Sequence, residues 1–199
     1  YMANLGCIEI NPWFSRVGAL DSPDYLVIDI DPSPGNYFDQ VVEAAQAVKE
    51  VLDRARIQGY CKTSGATGLH VYVPLGARYT YNQARDFAHV LALMAHDLLP
   101  QTTTVERSIG KRGNRIYLDY LQNSRGQTLA SAYSLRPRKG ATVAAPLNWP
   151  EVKKGLHPMQ FTIATFPGRL KKTGDLFRPV LGRGIDMHKA LQLLGMEPN

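Results

Sequence analysis

The sequence predicts an α/β (α+β) fold in which mixed or antiparallel β-sheets are flanked by helices. Strand and helix patterns alternate through the first hundred residues, whereas strand patterns predominate in the second hundred. The chain has 199 residues, of which 44% are hydrophobic and 20% are charged. These values are typical of one globular domain, so residues 1–199 are expected to form a single domain.

The first half of the chain contains the clearer elements. Residues Tyr25–Ile30 are apolar and β-branched, and a turn rich in Pro and Gly follows them, which predicts a strand. Apolar side chains recur at helical spacing over residues 38–56 and predict a helix. Two further strands and a second helix are expected at Tyr60–Thr63, at Leu69–Leu75, and from an N-cap at Thr80 or Asn82 to about Leu99.

The second half is predicted to contain short strands joined by long connections. Strands are expected at Arg115–Tyr120, Leu129–Leu135 and Phe161–Phe166, and an amphipathic helix at Ile185–Leu194. Residues 137–160 are rich in Pro, Gly and Lys and are expected to be connections.

Charge is distributed unevenly between the two halves. Residues 1–100 carry 7 basic and 11 acidic side chains, whereas residues 101–199 carry 16 basic and 6 acidic ones. An acidic half beside a basic half suits a site that holds both metal ions and polyanions, and a surface bias without function is the alternative.

Several protein classes are excluded by composition. No apolar run approaches the ~18 residues that cross a bilayer, and no signal segment opens the chain. Cys7 and Cys61 are too few for a disulfide framework. A cytoplasmic chain without a membrane partner is therefore expected.

Two aspartates flank Ile30 at the end of the first predicted strand. Because side chains alternate along a strand, Asp29 and Asp31 share one face while their apolar neighbours face the core. Two close carboxylates repel each other unless a cation lies between them, and their oxygens suit Mg²⁺ or Mn²⁺. Asp119, on a later strand, is a third candidate ligand. Solvated turn residues or helix caps are the alternative interpretation.

Phosphate-binding groups are predicted in two other segments. The glycine-rich loop from Ser64 to His70 can form an anion-binding nest of backbone N–H groups. Residues 107–139 are rich in arginines that suit phosphate oxygens, and polar side chains such as Gln122 suit sugars or base edges. A plain hairpin loop and a solvated basic surface are the alternatives. Taken together, metal-binding carboxylates and triphosphate-binding groups favour nucleotidyl transfer with two metal ions.

Four motifs follow one another along the chain: Asp29-Ile30-Asp31-Pro32; Lys62-Thr63-Ser64-Gly65 through Gly68-Leu69-His70-Val71-Tyr72-Val73-Pro74; Asp119-Tyr120-Leu121-Gln122-Asn123; and Tyr133-Ser134-Leu135-Arg136. In residues and in order, they closely resemble the polymerase domain of bacterial ligase D. That domain belongs to the archaeo-eukaryotic primase superfamily and repairs double-strand breaks by end joining with the Ku protein.

The resemblance implies a primase-type catalytic core that adds nucleotides, preferentially ribonucleotides, to DNA 3′ ends. It implies that two Mn²⁺ or Mg²⁺ ions are held by three catalytic carboxylates: Asp29, Asp31 and Asp119. It also implies a set of nucleotide-binding residues: Ser64, His70, Arg112, Gln122 and Arg136. The implied partners are nucleoside triphosphates, DNA ends or gaps, Ku, and an attached or separate ligase domain, at the nucleoid in the cytoplasm. DNA-binding residues stay unassigned.

The chain departs from the family pattern in three ways. Asn11 stands where the family usually has His, and Ala66-Thr67 stands where it often has Gly-Lys. The family domain also has an N-terminal stretch before residue 1, so the chain is expected to be N-terminally truncated, with weak DNA binding and activity. Two alternatives stay open: a catalytically weak nucleic-acid- or nucleotide-binding fragment, and a haloacid-dehalogenase-type phosphatase, whose Asp-x-Asp signature resembles Asp29-Ile30-Asp31.

Overall fold

A computed structural model describes residues 1–196 and contains a six-stranded sheet in the order β4-β5-β1-β3-β2-β6. Neighbouring strands are antiparallel except for β4 and β5, which are parallel. Residues 197–199, the end of the predicted domain, lie outside the described part. The strands are β1 Tyr25–Asp31, β2 Tyr60–Thr63, β3 Leu69–Pro74, β4 Thr103–Thr104, β5 Ile116–Asp119 and β6 Pro146–Leu147.

Two long helices cover one face of the sheet. Helix α1 (Phe38–Arg54) and helix α2 (Tyr81–Leu98) pack on the alternate side chains of β1 that include Ile28 and Ile30. Helix α1 ends before the predicted residue 56, and Arg56 has a positive φ of 54°, which is incompatible with a continuing helix. These contacts confirm the α/β fold class.

The opposite face of β1 carries a smaller core that is rich in aromatic rings. Its buried residues are Phe14, Tyr25, Val27, Tyr72, Tyr81 and Val180. Because side chains alternate along a strand, Asp29 and Asp31 lie on this face. The helices therefore leave free the face of the sheet that holds the candidate site.

Two predicted strands are wrong. Residues 129–135 are irregular apart from one bridge from Leu135 to Val143, and Tyr133 has a positive φ of 69° that interrupts extended backbone. Residues 161–165 form a turn in which the Thr162 amide donates to Thr165 Oγ1 at 2.9 Å. Local hydrogen bonds of this kind compete with strand pairing, so β-branched residues misled the prediction.

Two shorter helices follow in the last quarter of the chain. Helix α3 spans Phe166–Thr173, and helix α4 spans Met187–Leu193 within the predicted 185–194. The Asp186 side chain caps α4 by accepting from the Lys189 amide at 3.0 Å. No helix among residues 1–196 combines the length and apolar character needed to cross a bilayer.

A buried side chain takes the place of a strand beside β1. Strand β5 pairs with β1 only from Asp29 to Asp31. Next to Val27, the Asn123 amide fills the gap, because its Oδ1 accepts from the Val27 N–H at 2.8 Å and its Nδ2 donates to the Val27 carbonyl at 2.7 Å. The same Nδ2 donates to the Tyr120 carbonyl at 2.8 Å, which ties the segment after β5 to β1.

Replacing Asn123 with Ala should leave both Val27 backbone groups buried without partners. Since each such group costs about 1–3 kcal/mol, the free energy of unfolding should fall by about 2–5 kcal/mol in urea titrations. Asn82→Ala, at an exposed position on α2, should change it by about 0.5 kcal/mol or less. A loss for Asn123→Ala as small as that of the control would show that the amide does not hold β1.

Candidate active site

Strand register places four polar side chains in one row across the sheet. Asp119 on β5 lies opposite Asp29 on β1, Asp29 lies opposite His70 on β3, and His70 lies opposite Lys62 on β2. Side chains of directly opposed residues share a face and lie next to each other. The row therefore brings residues from four strands to one site.

Asp29 lies at the centre of this row, and 17% of its side chain is exposed to solvent. Its Oδ1 lies 3.3 Å from Nε2 of His70. Burial, followed by repulsion from Asp119 and Asp31, raises the pKa of Asp29 to about 7, although Lys62 and Arg136 oppose this shift. The carboxylate is thus held where its negative charge is poorly stabilised by the protein alone.

Asp31 lies two residues further along the same face and is more exposed. Arg112 Nη1 approaches Asp31 Oδ2 to 3.3 Å, and the guanidinium stacks 4.1 Å above the centre of the Tyr117 ring. Arg112 also donates to the carbonyls of Glu106 and Arg107 at 3.2 and 3.0 Å. These contacts hold the Arg112 guanidinium beside the carboxylate of Asp31.

Asp119 ends β5 and is fixed by two hydrogen bonds to one oxygen. Its Oδ1 accepts from the Tyr117 hydroxyl at 3.1 Å and from the Leu121 amide at 2.8 Å. Burial raises the pKa of Asp119, and these hydrogen bonds oppose the increase. Its second oxygen, Oδ2, has no part in either bond.

The glycine-rich loop is organised by Ser64, and this changes the role expected for it. Ser64 Oγ accepts from the backbone amides of Ala66 and Gly68, both at 3.0 Å. Two amides of the predicted anion nest are therefore already paired within the loop. A side chain at Gly68 would place Cβ 2.3 Å from the Ile30 carbonyl oxygen, so only glycine allows the loop to lie against β1.

Arg136 connects this loop to the N-terminal segment. Its Nη1 donates to the Ser64 carbonyl at 3.0 Å, and its Nε lies 2.9 Å from Glu9 Oε2. The other Glu9 oxygen accepts from Asn11 Nδ2 at 3.2 Å. Asn11, at the family's histidine position, is thus linked to Arg136 through Glu9, a residue that the sequence analysis did not assign to the site.

Lys62 is the functional candidate that sequence reasoning missed. Its side chain is fully buried, and Nζ donates to the Thr63 carbonyl at 3.3 Å. Burial is the main cause that lowers the pKa of Lys62 to about 7, and Asp29 opposes the decrease. A lysine within an otherwise buried strand was the available signal, because such a lysine is rarely found without a partner.

Four buried side-chain atoms lack hydrogen-bond partners among the described residues: His70 Nδ1, Gln122 Oε1, Arg136 Nε and Arg169 Nε. Burial, followed by the charges of Lys62 and Arg136, keeps the pKa of His70 well below its usual range, so the ring is neutral. Unpaired buried polar atoms are costly and call for an explanation. Arg136 Nε faces the Glu9 carboxylate, whereas His70 Nδ1 and Gln122 Oε1, in two residues predicted to contact a nucleotide, are available for a ligand.

The carboxylates suit a divalent cation in chemistry, although they do not form a closed chelating set. Within residues 1–196, no group of three or more His, Cys, Asp or Glu side chains converges on one point. Arg112 pairs with Asp31, whereas Asp29 and Asp119 repel each other. A cation among these oxygens would remove that repulsion, which is the fit expected of a metal-binding site.

Comparison with known proteins gives concordant matches. A family model described as LigD, primase-polymerase domain, matches residues 1–177. The bifunctional non-homologous end joining protein LigD of Bacillus subtilis is 41% identical over 156 residues, which are 78% of this chain and 26% of that protein. The multifunctional non-homologous end joining protein LigD of Pseudomonas aeruginosa is 33% identical over 172 residues, which are 86% of this chain and 20% of that protein.

A solved structure supports the same relationship. The polymerase domain from Mycobacterium tuberculosis ligase D, in complex with DNA, matches with a TM-score of 0.75 and 30% identity, covering 82% of this chain and 57% of that chain. The chain spans about a quarter or less of the length of the two curated relatives.

The raised pKa of Asp29 predicts a pH-dependent stability in buffer that contains a chelator. The folded state holds the Asp29 proton up to about pH 7, whereas the unfolded chain loses it near the ordinary pKa of 3.8. Because the folded state binds more protons between these values, Asp29 lowers the free energy of unfolding as pH rises from about 4 to about 7. Asp29→Asn should therefore gain stability relative to wild type by about 2–4 kcal/mol over this interval.

Urea unfolding at several pH values measures this difference. Asp53→Asn, on α1, is the matched control and should follow the wild-type profile, because Asp53 is exposed and forms a surface ion pair with Lys49. A difference between Asp29→Asn and wild type that does not vary with pH would contradict the buried carboxyl assigned here.

Proposed function

The chain belongs to the LigD primase-polymerase domain family, and from this premise we propose that it adds nucleotides, preferentially ribonucleotides, to DNA 3′ ends during non-homologous end joining. The observation that carries the proposal is the cross-strand row of Asp119, Asp29 and His70, with Asp31 on the same face. Arg112 and Arg136 border this row. Carboxylates for cations beside arginines for phosphates are what nucleotidyl transfer requires.

In this proposal Asp29, Asp31 and Asp119 hold two divalent ions, Mn²⁺ or Mg²⁺. When bound, such ions lower the pKa of an attacking 3′-hydroxyl and neutralise charge on the phosphates. The raised pKa of Asp29 supports this assignment, because burial and neighbouring carboxylates create a need for positive charge there.

The remaining residues bind and orient the nucleotide. Arg112 already lies beside Asp31, and its guanidinium can donate charge-assisted hydrogen bonds to a phosphate oxygen. Arg136 is anchored to the Ser64 carbonyl through Nη1 and faces Glu9 through Nε, so its Nη2 can donate to the triphosphate. The unpaired acceptors His70 Nδ1 and Gln122 Oε1 can accept from a ribose hydroxyl or a base edge. Ser64 acts chiefly by holding its loop, and its hydroxyl proton can still be donated.

The proposed partners are nucleoside triphosphates, DNA ends or gaps, Ku and a ligase domain. The DNA complex of the structural neighbour supports the DNA partner, and the end-joining names of the curated relatives support the pathway. Nucleoid association stays a prediction. The dehalogenase-type phosphatase loses its support once the family is known. A weakly active binding fragment stays the second candidate, and the two experiments below separate it from an enzyme.

Asp31→Asn should abolish most nucleotide addition while the protein stays folded. Asp31 is half-exposed, so its removal leaves the core intact. Since a metal-held charge contributes several kcal/mol to the transition state, kcat should fall on the order of 100-fold or more. The assay is extension of a gapped DNA with ribonucleotides and Mn²⁺, with Asp53→Asn as the charge-matched control. Unchanged turnover in folded Asp31→Asn would refute the assignment, and no turnover in wild type would favour the binding fragment.

Arg136→Ala should weaken nucleotide binding. A lost charge-assisted hydrogen bond costs about 1.5–3 kcal/mol, so the KM for the nucleotide should rise about 10- to 100-fold. Arg138→Ala removes the same charge at an exposed position two residues away and should leave KM within about twofold. Because Arg136 also anchors the loop, the melting temperature of each variant is measured alongside. Equal KM values for Arg136→Ala and Arg138→Ala would place the triphosphate elsewhere.

A further inference from the structure

An aromatic cavity of about 460 Å³ lies on the same face of the sheet as the carboxylates and has no role in the site described above. Tyr25 and Tyr72, which line it, lie on β1 and β3. Tyr25 is four residues from Asp29 along β1, or roughly 13 Å at the usual rise per residue, and Tyr72 is two residues from His70, or roughly 7 Å. The cavity is therefore a neighbour of the carboxylate row, and none of the three catalytic candidates lines it.

Interlocked rings form a rigid wall of the cavity. The Tyr25 ring lies 5.2 Å from both the Phe14 and the Tyr72 rings, and Tyr72 meets Phe177 edge-to-face at 5.0 Å. Trp13 differs from these rings because 41% of it is exposed to solvent, although it lines the same cavity. A large exposed indole beside a preformed aromatic wall is a surface on which a planar ring can stack.

Polar groups accompany the rings. Arg16 forms an ion pair with the buried Asp24 carboxylate, and both line the cavity with Arg178. Tyr133, another lining residue, has a strained φ of 69°, and its hydroxyl donates to Asp175. Backbone strain in a bulky residue persists only where the surroundings impose it, as they do at ligand clamps. The surrounding residues thus impose the conformation of this wall.

We propose that this cavity binds an unpaired nucleobase, stacked on Trp13, with the attached phosphate held by Arg16 or Arg178. A nucleobase has apolar faces, which suit the aromatic walls of the cavity, and polar edges, which suit the charged groups around them. The two arginines suit its phosphate. A cavity of this volume is within the usual range for small-ligand sites. The base comes either from a DNA strand that leads to the carboxylate row or from a free nucleotide. The choice of nucleic acid as ligand rests on the proposed function.

The test uses the fluorescence of Trp13. The other tryptophan, Trp149, donates to the Gly59 carbonyl on the helix-covered side of the sheet, so Trp149→Phe leaves Trp13 as the only indole. This variant is titrated, in chelator, with a thymidine decamer, with an abasic decamer that carries the same phosphates, and with thymidine monophosphate. We expect saturable quenching by the thymidine decamer and none by the abasic one.

Variants then measure the contribution of the indole. Binding of a labelled thymidine decamer, followed by anisotropy, should weaken about 5- to 100-fold in Trp13→Ala, and Trp13→Phe should restore part of the loss. Tyr37→Ala removes a ring that is 79% exposed outside the cavity and should bind as wild type does. The abasic decamer should bind Trp13→Ala and wild type equally.

Each outcome decides the proposal. Equal quenching by both decamers would mean that phosphates alone are bound, and this would overturn the proposal. A loss of affinity in Tyr37→Ala as large as that in Trp13→Ala would overturn it too. Quenching by thymidine monophosphate without a response to the decamer would keep the nucleobase and assign it to a free nucleotide. In Asp31→Asn, the thymidine decamer should quench Trp13 fluorescence normally even if the variant transfers no nucleotide. Loss of binding in the cavity is therefore distinguishable from loss of the proposed catalysis.

Discussion

The backbone hydrogen bonds that pair β1 with β3 and β5 determine where every catalytic candidate lies. They set Asp119, Asp29 and His70 opposite one another on three strands, and a further pairing adds Lys62. A slip of one residue in β1 would turn Asp29 toward the helices and expose Ile28. The apolar packing beneath α1 and α2 therefore preserves the polar face indirectly, because it penalises every register except one.

The same register creates an electrostatic conflict that the protein relieves only in part. Lys62 is fully buried and Asp29 is largely enclosed, and this burial moves the pKa of each toward about 7. Arg136 adds positive charge from outside the sheet, and His70 stays neutral. The row is thus close to balanced in charge and short of solvent. A site prepared in this way interacts strongly with an incoming cation or phosphate, because little water screens it.

Sequence periodicity predicted much of the fold and part of the site. Alternation along β1 correctly placed Asp29 and Asp31 on one face, since that face depends on local geometry alone. The predicted strand at 129–135 was wrong because the conformation of Tyr133 depends on distant partners such as Asp175. Lys62 and Glu9 escaped notice for a similar reason, since only the register and the path of the N-terminal segment bring them to His70 and Arg136. The assigned roles of the site residues stay predictions.

The replacement of a strand by the Asn123 side chain has a consequence for hydrogen exchange in the sheet. Elsewhere in the sheet an amide exchanges with solvent only when two strands separate, a cooperative event with a high free energy. The Val27 amide is instead protected by one side chain, the buried Asn123 amide. Exchange of the Val27 amide therefore reports on the anchoring of the segment after β5, separately from the ladder on the β3 side of β1.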